Sequence, residues 1–205
     1  AGVPTMVVPA TIDNDMSGTE YAIGFDTALN TVLDAVNKIR DTAASHERVA
    51  VVEVMGRHSG QIALHAGVAC GAEAILLPEI PVDMEEICQR LIRSYERGKL
   101  YSIVMVAEGV AKGDAIAAQI AQRTNFKPHV TVLGYIQRGG HPSAFDNIIG
   151  SKMGALAVDS ILRGEVNRLV GLRQGQLITL PYAEAFKLPQ RIDHSLHELA
   201  CILAQ

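Results

Sequence analysis

The sequence alternates short apolar segments with longer segments of helical periodicity, and this alternation limits the fold more than any other feature. Short β-branched segments predict strands at residues 3–9, 48–54, 74–77, 102–107 and 130–133. Apolar residues at helical spacing predict helices at 20–44, 59–70, 83–97, 114–123, 143–163 and 194–204, and a hairpin is predicted from 168–172 and 176–180. Asp83 and Ser143 are predicted N-caps. Strands that alternate with helices in this way predict a parallel sheet with helices on both faces.

The composition is that of a folded globular chain. The 205 residues are 48% hydrophobic and 20% charged, which is too apolar for a disordered protein. No apolar run is long enough to span a bilayer, and the net charge of −4 argues against a general nucleic-acid-binding surface. We therefore expect neither a membrane nor a nucleic acid as partner.

The cysteines indicate the cellular compartment of the protein, and the first residue indicates how the chain begins. Cys70, Cys88 and Cys201 are odd in number and lie in apolar settings, so we expect reduced thiols in a cytoplasmic protein. The chain begins at Ala1 rather than Met, and an apolar segment follows almost at once. Such a start is expected after processing or in the back part of a longer protein.

The loop after the first predicted strand holds the first candidate functional residues. In parallel α/β sheets, ligands bind beyond the carboxyl ends of the strands. This loop contains Thr11, Asp13 and Asp15. Two carboxylates in such a loop can hold Mg²⁺ or take a proton from a hydroxyl group. The same residue types also form ordinary turns that begin helices, and both interpretations stay open at this point.

Three later loops carry groups suited to phosphates and sugars. Gly56 and Arg57 allow close backbone approach and offer a guanidinium. Glu108 suits hydrogen bonds to sugar hydroxyls, and the sequence Gln-Arg-Gly-Gly at 137–140 suits a phosphate. The alternatives are a solvated turn, an ordinary loop acid and a glycine turn.

Two other features have simple structural explanations. Gly71 followed by Glu73 is typical of a helix end with a surface carboxylate. Arg97 and Lys99 follow a helix whose C-terminal dipole favours cations. The histidines lack the spacing of metal ligands, so no histidine metal site is predicted. Together the loops predict a phosphorylated, hydroxyl-bearing substrate and Mg²⁺, without naming the reaction.

A series of motifs in one order resembles the bacterial 6-phosphofructokinases over nearly the whole chain. The motifs are Thr-Ile-Asp-Asn-Asp at 11–15, Gly-Phe-Asp-Thr-Ala at 24–28, Arg-Asp-Thr-Ala at 40–43, Ser-His-Glu-Arg at 45–48, Glu-Val-Met-Gly-Arg at 53–57, Ala-Glu-Gly at 107–109, and Val-Leu-Gly at 132–134 with Gln-Arg-Gly-Gly at 137–140. Each is weak alone, and their common order makes the resemblance specific.

The resemblance implies an α/β architecture, the phosphofructokinase fold, with two doubly wound Rossmann-like domains. Residues 1–23 and 138–187 would be the remainder of an ATP-binding, catalytic domain whose N-terminal part is missing. Residues 24–137 and 188–205 would form a fructose 6-phosphate and effector domain, and the sugar would bind between the two. The Gly-Gly-Asp-Gly-Ser nucleotide loop of the family lies upstream of this region, so we expect a C-terminal fragment that is inactive in isolation.

The implied reaction is transfer of the γ-phosphoryl group of ATP to the 1-hydroxyl of fructose 6-phosphate, with Mg²⁺. By resemblance, Asp13 is the general base, and Thr11 and Asp15 position the phosphoryl group and the water shell of the metal. Arg57 would stabilise charge on the phosphoryl group in transfer. No metal ligand is assigned with certainty.

The resemblance also assigns substrate and effector residues. The sugar phosphate would contact Met55, Gly56, Glu108, His129, Tyr135 and Arg138, and Arg48 would reach it from a neighbouring subunit. Gly71, Glu73, Arg97 and Lys99 match the positions that bind an ADP-like nucleotide effector between subunits. We therefore expect a cytoplasmic, allosteric glycolytic enzyme that is a homotetramer when intact.

Three positions depart from the family pattern. His129 stands where Arg is usual and Tyr135 where His is usual, which predicts weaker and more pH-dependent sugar-phosphate binding. Ala10 is neither the Gly of ATP users nor the Lys of pyrophosphate users; because it carries no cation, ATP is the expected donor. A pyrophosphate-dependent phosphofructokinase and a non-catalytic regulatory module that binds sugar phosphate or nucleotide remain the alternatives.

Overall fold

The computed structural model describes residues 3–44, 49–189 and 192–204. In chain order the elements are β1 (Met6–Val7), α1 (Phe25–Ala44), β2 (Val49–Val54), α2 (Gln61–Ala69), β3 (Ala74–Leu76), α3 (Met84–Glu96), β4 (Ser102–Ala107), α4 (Gly113–Arg123), β5 (His129–Val132), a 3-10 helix (Gly134–Arg138), α5 (Ala144–Leu162), β6 (Arg168–Arg173), β7 (Gln176–Pro181), α6 (Tyr182–Ala185) and α7 (His194–Leu203). The chain divides into two compact units. Unit 1 comprises Ala1–Thr27 and His141–Arg191, and unit 2 comprises Ala28–Gly140 and Ile192–Gln205.

Unit 2 is built on a four-stranded parallel sheet. The strand order is β3-β4-β2-β5, and every pairing is parallel. All residues of β2 and β4 are buried, and apart from Glu53 and Ser102 these central strands are apolar, as expected of a parallel sheet covered on both faces. Leu91 of α3 and Ile120 of α4 pack with Val104 and Val106 of β4 in one core cluster. The α/β class with a parallel sheet is thereby confirmed.

Unit 1 contains a three-stranded sheet of order β1-β6-β7. β1 pairs in parallel with β6, whereas β6 and β7 form the predicted antiparallel hairpin. Its turn lies at Gln174 and Gly175, both of which have positive φ (50° and 74°). Helix α5 packs on this sheet through Ile149 and Met153.

Two predicted elements are longer than the observed ones. The strand predicted at 3–9 is reduced to Met6–Val7, because Pro4 and Pro9 have no N–H to donate to a sheet. The helix predicted from residue 20 begins at Phe25. Asn14 holds the preceding segment in a loop, since its Oδ1 accepts the N–H of Ala22 at 2.8 Å.

Both predicted helix caps are confirmed. Asp83 Oδ1 accepts the N–H groups of Glu85 and Glu86 at 3.0 and 3.1 Å at the start of α3. Ser143 Oγ accepts the N–H of Asp146 at 3.1 Å at the start of α5. The 3-10 helix and α6 were not predicted from the sequence.

None of the helices in the described part of the chain combines the length and apolar character needed to cross a membrane. The three cysteines are free thiols, with Cys70 and Cys88 buried and Cys201 half-buried.

Candidate functional site

The loop after β1 holds the candidate catalytic residues of unit 1. Asp13 is 9% exposed, while Thr11 and Asp15 are half-buried. The N–H of Asp13 donates to Thr11 Oγ1 at 3.2 Å, so this hydroxyl fixes the backbone that carries the carboxylate. Asn14 adopts a positive φ of 49°, and its Nδ2 donates to Glu20 O at 2.9 Å. The turn predicted as an alternative is therefore present, and Asp13 lies in it, within the loop that follows β1.

The N-terminus of α1, also in unit 1, is capped by a buried carboxylate from α5. Asp146 is 4% exposed and accepts the N–H groups of Gly24 and Thr27, each at 2.8 Å. Thr27 Oγ1 also donates to Asp146 and in turn accepts the N–H of Ser143 at 3.0 Å. These bonds fix the start of α1 against the start of α5.

In unit 2, the carboxyl edge of the sheet gathers the residues that follow β2 and β4. The N–H groups of Gly56 and Arg57 donate to Glu108 Oε1 at 3.2 and 3.0 Å, and the N–H of Glu108 donates to Val54 O at 2.9 Å. One carboxylate therefore joins two neighbouring strand ends. Glu108 is half-buried, so it can also accept hydrogen bonds from a ligand.

Gln137 is the first residue of the Gln-Arg-Gly-Gly motif at 137–140, and the sequence assigned it no role of its own. It is 1% exposed, its Oε1 accepts the N–H of Met55 at 3.2 Å, and its Nε2 donates to Gly134 O at 3.0 Å. It thereby ties the 3-10 helix after β5 to the loop after β2. No sequence signal separates this glutamine from an exposed one.

Two glycines allow these loops to pass close to one another. A Cβ on Gly109 would lie 2.1 Å from the carbonyl oxygen of Arg57. A Cβ on Gly56, whose φ is 143°, would lie 2.2 Å from the carbonyl oxygen of Ser59. Larger residues at these positions would displace the backbone that Glu108 holds.

The basic side chains of the carboxyl edge point outward. Arg57 is exposed and has a positive φ of 53°. Tyr135 is 81% exposed, and the guanidinium of Arg138 lies 5.5 Å from the centre of its ring. Met55, Gly56, Arg57, Glu108, Tyr135 and Arg138 therefore lie in three loops at one edge of the sheet, and such an arrangement can bind a phosphorylated sugar.

The opposite, amino edge holds the candidate effector residues. Glu73 is 1% exposed, which contradicts its interpretation as a surface carboxylate. Its side chain forms an ion pair with Lys99 and accepts the N–H of Ile103. Burial of a carboxylate requires such partners, and the sequence could not show that Lys99 is one of them.

Gly71 and Arg97 lie at the ends of helices near this edge. Gly71 follows α2 with a φ of 65°, the conformation expected of a helix-ending glycine. Arg97 is the exposed C-cap of α3. The side chain of Arg40 donates to the carbonyl of Cys70, just before Gly71. Burial raises the pKa of the Cys70 thiol to about 11.

The structure separates His129 from the other sugar-phosphate candidates. His129 is the first residue of β5 and is paired in register with Ala50, at the start of β2. Because the strands are parallel, it lies at the amino edge, opposite Glu108. Arg48 lies outside the described residues.

The acidic groups alone do not form a metal cage. The part of the chain that the structure describes contains no group of three or more His, Cys, Asp or Glu side chains able to hold a metal ion. Asp13 and Asp15 can contribute carboxylate oxygens to hydrated Mg²⁺, which commonly keeps several waters and takes substrate phosphates as ligands.

Comparison with known proteins identifies the family. A protein-family model described as "Phosphofructokinase" matches residues 1–161. The chain belongs to the phosphofructokinase family. Its motif order, parallel sheet and strand-end loops are thus features of a member of this family.

Curated phosphofructokinases are similar in sequence to almost the entire chain. It is 49% identical over 203 residues to "ATP-dependent 6-phosphofructokinase" of Alkaliphilus metalliredigens, covering 99% of this chain and 64% of that protein. It is 53% identical over 199 residues to the protein of the same name from Bacillus licheniformis, covering 97% of this chain and 62% of that one. The chain therefore spans less than two thirds of the length of these phosphofructokinases.

Solved phosphofructokinases share the fold. A structure of phosphofructokinase from Saccharomyces cerevisiae superposes with a TM-score of 0.84 at 32% identity, over 95% of this chain and 27% of that one. A pyrophosphate-dependent phosphofructokinase from Nitrosospira multiformis gives 0.85 at 22% identity, over 100% and 60% of the two chains. The second comparison supports the fold alone.

Proposed function

We propose that the protein, at the length of its relatives, is an ATP-dependent 6-phosphofructokinase: a glycolytic, cytoplasmic kinase that makes fructose 1,6-bisphosphate from fructose 6-phosphate. The observation that carries this proposal is the loop after β1, in which the buried Asp13 donates its backbone N–H to the Thr11 hydroxyl. Curated relatives, of whose length the chain covers 62 to 64%, are named ATP-dependent 6-phosphofructokinase. In this proposal unit 1 belongs to the ATP-binding domain, and unit 2 is the sugar-phosphate and effector domain.

Asp13 is the general base of the proposed reaction. Its carboxylate takes the proton of the 1-hydroxyl of fructose 6-phosphate while that oxygen bonds to the γ-phosphorus, and the bond from phosphorus to the bridging oxygen breaks to release ADP. Thr11 positions Asp13 and the phosphoryl group, and Asp15 contacts the water shell of Mg²⁺. The cation, bound mainly by ATP phosphates and water, neutralises phosphate charge. The exposed Arg57 guanidinium stabilises charge on the phosphoryl group in transfer.

The carboxyl edge of unit 2 binds the sugar phosphate. Glu108 accepts hydrogen bonds from sugar hydroxyls while it holds the Gly56 and Arg57 backbone. Met55 and Gly56 line the sugar, Tyr135 donates from its hydroxyl, and Arg138 binds the 6-phosphate. The cation-π contact between Arg138 and Tyr135 supports their joint role.

A second copy of the chain completes the proposed substrate site. His129 lies at the amino edge, away from Glu108. It can serve the sugar phosphate only from a neighbouring subunit, as the family resemblance also implies for Arg48, and this supports a homo-oligomer, proposed as a tetramer. Gly71, Glu73, Arg97 and Lys99 then bind an ADP-like effector at the same amino edge.

The phosphoryl donor distinguishes the two enzyme alternatives. Ala10, immediately before the catalytic loop, offers no cation for pyrophosphate, so ATP is the proposed donor. A pyrophosphate-dependent enzyme has the same fold, as the Nitrosospira multiformis structure illustrates. A donor assay separates the two and also tests the non-catalytic alternative.

The decisive experiment measures fructose 6-phosphate-dependent release of ADP or phosphate by the full-length protein with each donor. Asp13→Asn should lower kcat about a thousandfold with little change in KM, because a general base contributes roughly 10²- to 10⁴-fold. Asp34→Asn is the matched control: it removes an exposed carboxylate from α1, and activity should be unchanged.

Two outcomes contradict the proposal. Turnover with pyrophosphate alone would identify the other enzyme class, and binding of fructose 6-phosphate without turnover by either donor would indicate the regulatory module. Retention of full activity by Asp13→Asn would remove Asp13 from the role of base.

A further inference from the structure

A cavity of about 140 Å³ lies in unit 2 between β3, the start of α3 and α7. Its walls are mainly apolar and include Leu76, Leu77, Ile80, Ile87 and Ala200. A cavity of about 150 Å³ with such walls accommodates a benzene molecule, so this one has room for an apolar group of about six carbons.

Two basic side chains and a thiol also line this cavity. They are Arg90 of α3 and, one turn apart on α7, His197 and Cys201. Arg90 Nη1 lies 3.9 Å from Cys201 Sγ and donates to Glu73 O at 3.2 Å. The Arg90 side chain is 20% exposed, so its head group can reach both the cavity and solvent.

The carboxylates around the cavity are largely engaged elsewhere. The Asp83 carboxylate caps α3, and the Glu73 carboxylate pairs with Lys99. Glu86 Oε1 accepts from Arg93 at 2.9 Å and lies 3.7 Å from Arg90 Nη2. Among the described residues, that distance is the closest approach of a carboxylate to the Arg90 guanidinium.

Arg90 and His197 lie close enough to affect one another. Burial, then the Arg90 charge, lowers the pKa of His197. Two neighbouring basic groups above an apolar cavity are complementary to an anion with an apolar tail, since the anion offsets their repulsion while the tail fills the cavity.

We propose that this cavity binds a small monocarboxylate with an apolar tail of about six carbons, its carboxylate held by Arg90 and His197. The site is distinct from the proposed sugar-phosphate site, which lies at the carboxyl edge. It adjoins the proposed effector residues through Glu73, whose carbonyl receives Arg90 and whose carboxylate faces Lys99. A bound carboxylate competes with the Glu73 carbonyl for the Arg90 guanidinium.

Hexanoate is the probe, with hexan-1-ol as its neutral counterpart and hexylammonium as its cationic one. Titration calorimetry on the chain should give saturable binding of hexanoate, at least about tenfold tighter than hexan-1-ol, because a hydrogen bond to a charged group contributes more than a neutral one. Hexylammonium should bind most weakly. This series needs no variant, so it does not depend on a substitution that folds.

Variants and thiol chemistry then locate the ligand. Arg90→Gln should weaken hexanoate binding about tenfold. Arg123→Gln is the matched control, because it removes an exposed arginine of α4 that does not line the cavity, and it should leave hexanoate binding unchanged. Bound hexanoate should also slow the alkylation of Cys201 by iodoacetamide, and peptide mass spectrometry measures the rate of this reaction. The Cys201→Ser variant identifies the peptide that carries the label.

Three results would overturn the proposal: equal affinity for hexanoate and hexan-1-ol, no saturation below about 10 mM, the range of weak but specific affinities, or unchanged Cys201 labelling with saturating hexanoate. None of these readouts uses kinase activity, so failure here leaves the proposed reaction untouched.

Discussion

The two edges of the unit 2 sheet hold their candidate ligand-binding carboxylates in contrasting ways. At the carboxyl edge, Glu108 is half-buried and accepts two backbone N–H groups through Oε1. At the amino edge, Glu73 is 1% exposed and is engaged by Lys99 and by the N–H of Ile103. The first carboxylate is positioned and accessible, whereas the second is enclosed.

Because of this difference, a ligand can bind to Glu108 without breaking an existing contact, whereas a ligand of the Glu73 carboxylate must replace one. A ligand at the carboxyl edge can hydrogen-bond to Glu108 without disturbing the bonds that hold the loop. A ligand that contacts the Glu73 carboxylate must first take Lys99 away from it, and the free energy of that ion pair is then subtracted from its affinity. The proposed effector site is therefore one in which binding and local rearrangement are coupled.

The largest expected effect is a difference in the free energy of unfolding between variants that lack one or the other carboxylate. Glu73→Ala should lower the free energy of unfolding by about 3 kcal/mol, because it leaves the buried N–H of Ile103 without its acceptor and Lys99 without its partner. Glu108→Ala should cost about 1 kcal/mol, since water can reach the N–H groups it releases. Urea denaturation of both variants measures the difference.

Equal losses for Glu73→Ala and Glu108→Ala would contradict the comparison. Lys99→Met serves as the internal check, because it removes the partly exposed cation and retains the bond from Ile103. Its loss of stability should fall between the other two.

The glycines of the two edges provide a second, smaller test. Gly109→Ala places a Cβ 2.1 Å from the Arg57 carbonyl oxygen, so the loop must shift. We expect a loss of about 2 kcal/mol, within the range of overpacked sites. Fructose 6-phosphate binding should weaken as well, because the shift moves the backbone that Glu108 holds.

Gly71→Ala at the amino edge is the matched control. No atom lies within 4 Å of its added Cβ, so only its positive φ of 65° opposes the change. A loss of about 1 kcal/mol is expected, typical of an L-residue in the left-handed region. If Gly71→Ala proved the more destabilising, the carboxyl edge would not be the tightly packed one.

Sequence patterns predicted those parts of this contrast that depend on local order. The continuous apolar run at 102–107 fixed β4 to the residue, and Glu108 follows it directly. Asp83 and Ser143 were found as caps because capping acts within one helical turn. The strand-end loops with their candidate residues followed from the same alternation.

The missing parts depend on contacts between segments distant in the chain. The sequence around Glu73 is typical of a surface residue, and its burial depends on contacts with Lys99 and with Ile103 of β4. Gln137 gains its role only when the loop after β2 meets the 3-10 helix. His129 directly precedes the strand predicted at 130–133, so its place at the amino end of that strand was within reach of the sequence, whereas its pairing with Ala50 of β2 was not. None of these pairings leaves a periodic signal.

The smallest effect concerns helix α2, which runs from the carboxyl-edge loop to the amino edge. Burial lowers the pKa of His65, although the Gln61 carbonyl, 2.9 Å from Nδ1, and Asp193 act in the opposite direction. The unfolded chain therefore binds a proton more readily than the folded one, and stability falls as the pH drops below the ordinary histidine pKa of about 6.5.

His65→Gln should flatten the dependence of the unfolding free energy on pH between about 5 and 7. His58→Gln, at an exposed position of the carboxyl-edge loop, should leave that slope in place. His197, whose pKa burial also lowers, contributes in the same direction, so His65→Gln should reduce the slope without abolishing it. An unchanged slope in His65→Gln would mean that the protonated ring stays in place with its bond to Gln61.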